Sequence, residues 1–119
     1  MKYMIMMFGE AATMMEEKPK DWITEMIEFM QTLNKELVDA GELLEARGLT
    51  DGSQARTISL KDGVPVATDG PFAESKESLV GYWVLDVESE ERLLDIAGRI
   101  VVYSGIVEVR QVMDGPPEI

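Results

Sequence analysis

Between residues 20 and 40, apolar side chains recur three and four positions apart: Ile23, Met26, Ile27, Met30, Leu33 and Leu37. That spacing lines them along one stripe of a helix, with Glu25, Glu28, Lys35, Glu36 and Asp39 mainly on the other side. Pro19 near the start and Gly41 just past the end suit the two helix termini. A second stripe, Leu93, Leu94, Ala97, Ile100 and Val101, predicts a helix reaching about residue 101. Ser89 is its expected N-cap, and Glu90 and Glu91 suit its positive end.

The remaining apolar runs read as strands. Residues 2–8 present Tyr3, Ile5 and Met7 to one side and Met4, Met6 and Phe8 to the other. Residues 79–87 do the same, with Val80, Tyr82 and Val84 opposite Leu79, Gly81, Trp83, Leu85 and Val87. A strand with water on one side alternates apolar and polar residues, so both of these expect cover on both faces. Further strands are expected at about 42–48, 55–60, 64–68 and 106–112, with Lys61-Asp62-Gly63 as the hairpin signal between 55–60 and 64–68. The order is β-α-β, a hairpin, then β-α-β. It predicts an α+β, ferredoxin-like split βαβ fold, with an antiparallel sheet and an inserted hairpin. One domain spans residues 1–119, with about 113–119 as an irregular tail after Asp114-Gly115-Pro116-Pro117. Two helices cover one face of such a sheet. The other face expects a second copy of the chain, two sheets closing on each other in a homodimer.

Composition narrows the chemistry. The 119 residues carry 23 acidic and 11 basic side chains, a net charge of −12, which argues against nucleic acid as a partner. No run approaches the roughly 20 apolar residues of a membrane span, and the opening segment lacks a signal peptide's pattern, so no membrane partner and a cytoplasmic location are expected. With no cysteine and no histidine, thiol and Ser-His catalysis are excluded and a zinc site would need carboxylates alone. Nine methionines, six within the first fifteen residues, raise Cu(I) as a ligand. Met4, Met6, Met7, Met26 and Met30 fall in a strand and a helix stripe, where methionine fills a core, so neither metal nor cofactor is expected.

One segment combines a constrained turn with ionisable groups: Asp69-Gly70-Pro71-Phe72-Ala73-Glu74-Ser75-Lys76-Glu77. Pro71 fixes its own φ and restricts Gly70, Asp69 suits an Asx turn, and Phe72 is expected to anchor the loop on the sheet. Glu74 and Lys76, with Asp69, are the candidate catalytic groups, because burial and neighbouring charge shift pKa values. A solvated face is the competing explanation. Glu108 and Arg110 lie two apart on the last strand, on the side away from Val107 and Val109, where an isolated buried charge would be costly. Arg47 and Arg56 are further candidates for holding an anion, because the guanidinium binds carboxylates in bidentate fashion. Ligand-binding candidates are thus Arg47, Arg56, Phe72, Glu108 and Arg110; the competing reading of Glu108 and Arg110 is a salt bridge that fixes dimer register.

The chain resembles the YCII-related family, in the branch known for a DGPF domain. The resemblance rests on Met1-Lys2-Tyr3-Met4, Asp62-Gly63, the segment Thr68 to Glu77, Gly81-Tyr82-Trp83 and Val107-Glu108-Val109-Arg110. It implies a dimeric α+β barrel, and relatives in the wider superfamily include isomerases, lyases and cofactor-free monooxygenases with pockets between helices and sheet. The His-Asp pair attributed to some YCII-like proteins has no counterpart here. The connection at Val101-Val102-Tyr103-Ser104-Gly105 lacks the family's proline. Two expectations follow. One is a homodimer binding a small organic molecule near the Asp-Gly-Pro-Phe turn, with cofactor-free proton transfer in which a carboxylate is the base and Lys76 or Arg110 stabilises negative charge. The other is a non-catalytic regulatory or accessory module, linked by the resemblance to a sigma-factor partner.

Overall fold

The computed structural model describes residues 1–9, 16–72 and 78–117. In chain order these form β1 (Lys2–Gly9), α1 (Lys20–Asp39), β2 (Leu43–Gly48), a 3-10 turn (Gly52–Gln54), β3 (Arg56–Lys61), β4 (Val64–Asp69), β5 (Ser78–Asp86), α2 (Glu90–Ser104) and β6 (Val107–Gln111). Local chemistry sets the boundaries. Past the end of α1, Gly41 takes φ of 72°, and the amides of Gly41 and Glu42 return to the carbonyls of Val38 and Leu37. This is a Schellman closure, which a glycine in the left-handed region permits. At the start of α2 the Ser89 hydroxyl accepts the Arg92 amide at 3.1 Å, satisfying one of the donors a helix leaves unpaired. Asp62 and Gly63, both at positive φ, make the two-residue turn joining β3 to β4.

Four strands form one antiparallel sheet in the order β2-β5-β1-β6, the ferredoxin-like arrangement, and β3 and β4 form a separate two-stranded sheet. Because directly paired residues share a face, register assigns the two sides. Ile5 pairs with both Trp83 and Val109, and Ala46 pairs with Trp83. This is the helix side: Ile5, Trp83 and Leu85 join Leu33 and Leu37 of α1 and Leu93, Ile96, Ala97 and Ile100 of α2 in one core. Met6 pairs with Tyr82 and Glu108, Met4 with Val84 and Arg110, and Arg47 with Tyr82. These residues form the other side, and both helices pack on the first. The molecule is 19 Å thick, a helix layer on a sheet layer, and 49 by 48 Å across. Its radius of gyration of 16.6 Å exceeds the roughly 13.5 Å of a compact domain this long, because the β3–β4 arm extends away from the core.

Four side chains depart from the sequence expectation. Ile27 and Leu94 are exposed, while Ile96, outside the expected stripe, is fully buried. The core-facing line of α2 runs Leu93, Ile96, Ala97, Ile100, the i, i+3, i+4, i+7 spacing of a single face. Phe72 is 94% exposed, so it does not anchor the turn on its own sheet. The half-buried Pro71 lies beside Gly52 instead, and the next side chain projects outward. On the arm, Ile58 and Leu60 are 70% and 71% exposed, on the face they share with Pro65 and Ala67. Among the described residues, no helix is long and apolar enough to cross a membrane.

Candidate functional site

A cleft of about 340 Å³ opens between α1 and the β2–β5 side of the sheet. Its helix wall is Met26, Met30 and Asn34, one step apart on successive turns, and its sheet wall includes Met7, Ala46 and Trp83. The cleft exists because the sheet surface is low at this point. Ala46, Gly48 and Gly81 present little or no side chain, and Gly81 passes so close to β2 that an added Cβ would lie 3.1 Å from the Arg47 carbonyl oxygen. The ladder is also irregular here. Met7 pairs with Gly81 but Phe8 with Leu79, so Val80 is an extra residue on β5, a bulge that turns it into the cleft lining.

Arg47 and Tyr82 also line the cleft, but register places their side chains on the opposite face of the sheet from Ala46 and Trp83. There the Tyr82 hydroxyl donates to Glu45 Oε1 at 3.2 Å, and Arg47 Nε lies 3.4 Å from the same oxygen. Desolvation pushes the Tyr82 phenol above its ordinary value, and the Glu45 carboxylate adds to the shift. Both residues therefore meet the cleft through backbone. Among the described lining residues, no ionisable side chain faces into it.

Among the described lining residues, the one polar side chain facing inward is Asn34. Trp83 Nε1 donates to Asn34 Oδ1 at 2.8 Å. An indole nitrogen only donates, so this bond fixes which end of the amide faces Trp83. The cleft is thus an apolar slot lined by three thioethers and an indole, with one oriented amide: a binding surface, without an acid or base among the described residues facing into it.

The residues expected from sequence are distributed over the molecule. Arg56 and Asp69 are cross-strand partners at the base of the arm, 4.0 Å apart and exposed. Gly70 has φ of 104°. Its amide donates to the Ala55 carbonyl, and its carbonyl accepts the Thr57 hydroxyl, each at 2.8 Å. The turn is thereby tied to the 3-10 segment following β2, beyond Gly48 of the cleft wall. Glu108 and Arg110 are exposed on β6, the opposite edge strand from β2, and neither makes an ion pair among the described residues. Arg47 sits on the β2 edge with Glu45. Glu74 and Lys76 lie outside the described residues. Sequence reasoning did not single out Asn34 or Trp83 as a pair. The available signal was a polar residue inside the apolar stripe, between Leu33 and Leu37, and an indole N–H that requires a partner when buried.

The model of the YCII-related domain family matches residues 1–115. Among curated proteins, the chain is similar to an uncharacterized protein of Rhizobium meliloti (strain 1021), 34% identical over 68 residues, which is 57% of this chain and 55% of that protein. The match therefore spans only about half the length of that relative.

Proposed function

The chain belongs to the YCII-related domain family, and we propose that it is a homodimer that binds a small organic molecule in the cleft beneath α1. The observation that carries the binding half is the cleft itself, apolar, preformed and furnished with one oriented polar group. Its volume falls within the range of ligand sites, roughly 300–1,000 Å³. Binding without turnover fits the lining better than proton transfer does, since no described side chain in it can give or take a proton near neutral pH. This favours the regulatory or accessory reading over an isomerase-like one.

The dimer half rests on the uncovered side of the sheet. Met4, Met6, Phe8, Tyr82 and Val84 form an apolar centre there, only half-buried within one chain. Charges of both signs flank it, the ion pair of Glu45 and Arg47 on one edge and Glu108 and Arg110, unpaired among the described residues, on the other. A two-fold axis through such a face brings apolar centre onto apolar centre. The rims then offer opposite charges to each other. Two-layer domains leave no such surface to water without a reason.

A thermal-shift screen of small cyclic ketones, lactones and phenols tests the binding reading. At about 100-fold excess over Kd a ligand adds about 2.7 kcal/mol, so melting should rise by several degrees. Ala46→Leu, which adds atoms to the cleft floor, should abolish the rise. Hits that stabilise both chains equally would refute the cleft as the site.

A further inference from the structure

The Asn34–Trp83 pair specifies the chemistry of what enters the cleft. Trp83 Nε1–H takes Asn34 Oδ1 as its acceptor, leaving the two Nδ2 hydrogens of the amide. Among the described residues, nothing accepts from them. The cleft therefore offers a hydrogen-bond donor held in place by a buried indole, and one of the two acceptor positions on the amide oxygen is already taken. Around it the surface is soft and apolar. Met7, Met26 and Met30 contribute polarisable thioethers, which pack favourably against the edges and faces of aromatic rings. A charged ligand group would find no counter-ion among the described side chains that face into the cleft, and losing its hydration would cost several times what one neutral hydrogen bond returns.

We infer that the ligand is an uncharged, flat molecule of one or two fused rings bearing a carbonyl-type acceptor, a cyclic ketone, lactone or quinone. Asn34 Nδ2 donates to that acceptor, and Trp83 holds the amide in orientation. The inference rests on the cleft being the binding site and adds the ligand class. It excludes carboxylates and other anions as the preferred ligands, and ranks ring compounds lacking an acceptor below those that carry one.

Three probes of similar size separate the possibilities: α-tetralone, a benzo-fused cyclic ketone; tetralin, the same skeleton without the carbonyl; and α-naphthoate, an anion. Binding is followed by the NMR signals of the Trp83 Nε1–H and the Asn34 amide hydrogens. The deciding variant is Asn34→Asp, whose carboxylate still accepts from Trp83 but has no hydrogen to donate. Retention of the Trp83 Nε1–H signal and of the melting temperature reports that its fold is intact. Asn34→Leu is the second variant, removing donor and acceptor together. Tetralone is expected to shift both signals and to bind about tenfold or more tighter than tetralin. That advantage should vanish in Asn34→Asp and Asn34→Leu, while tetralin affinity changes little when leucine replaces the amide. Tetralin matching tetralone, or Asn34→Asp keeping the full tetralone affinity, would overturn the acceptor inference while leaving the cleft as a site. Naphthoate binding more tightly than tetralone would overturn the neutral class. If none of the three moves either signal, the cleft reading itself falls.

Discussion

Replacing Arg92 by alanine is expected to cost about 2–3 kcal/mol of stability, lowering the melting temperature by about 10 °C in a chain of this size. Its guanidinium is where α1, the turn leading into β2, and α2 are joined. Nε lies 3.0 Å from Glu42 Oε2 and one terminal nitrogen 2.8 Å from Glu42 Oε1, a bidentate pair, while the other reaches Asp95 Oδ2 at 3.1 Å. The Glu42 side chain is only 14% exposed and that of Arg92 27%, so removing the cation strands a largely desolvated carboxylate. The cluster also answers a local conflict. The last turn of α1 contains no basic residue, although its carbonyl ends favour positive charge. Arg92 and Arg99 of α2 supply it from across the helix pair through Glu36, Arg99 at 2.7 Å. The hydrogen bond from Arg99, with the nearby Arg92 charge, holds the Glu36 carboxyl below its ordinary value.

A carboxyl depressed in the folded state stabilises the fold above its unfolded pKa, and that contribution fades as pH falls through the folded value. Glu36 is well exposed, so its own share is small. Even so, the difference between wild type and Arg92→Ala should narrow in acid. Arg92→Met combined with Glu42→Leu should recover much of the loss, since a removed pair leaves no stranded charge. Denaturant melts at neutral and acid pH check all three statements. A loss under about 0.5 kcal/mol for Arg92→Ala would mean that the cluster behaves as an ordinary solvated ion pair.

The second large effect concerns assembly. Met6→Asp is expected to convert a dimer into a folded monomer at micromolar concentration, by light scattering, with an unchanged helix signal in circular dichroism. Met6 sits mid-strand on the uncovered face, between Tyr82 and Glu108. In one chain an aspartate there remains in contact with water and costs the fold little. Between two sheets about 10 Å apart it would be an unpaired buried charge, and two-fold symmetry would place two of them in one interface. Met6→Leu should leave the dimer intact, and Val84→Asp should repeat the effect from the neighbouring strand. A wild-type monomer at the same concentration would refute the dimer.

Much of the architecture was legible because it is written in local chemistry. The α1 stripe, Gly41 as terminator, Ser89 as cap and Asp62-Gly63 as hairpin turn are each decided by residues within a few positions. The two-sided apolar character of residues 2–8 and 79–87 likewise follows from period-two alternation, while which side faces the helices emerges only from the register. The cleft was not legible in the same way. Asn34 and Trp83 meet across 49 positions, and the bulge that brings Val80 into the lining is a property of pairing between β1 and β5. Arg92 likewise meets Glu42 across 50 positions. Charged residues near the Asp-Gly-Pro-Phe turn drew attention because ionisable groups mark sites in many proteins. In this chain the described site is marked by their absence, and by a single amide whose orientation only the three-dimensional contact reveals.

The methionines allow the most direct test, because they report from both sides of the sheet. Met7, Met26 and Met30 line the cleft, while Met4 and Met6 lie on the opposite face. In protein carrying 13C-labelled methionine methyl groups, saturating α-tetralone should shift the signals of Met7, Met26 and Met30 and leave Met4 and Met6 in place. Shifts confined to Met4 and Met6, or spread evenly over both faces, would contradict the cleft beneath α1 as the ligand site.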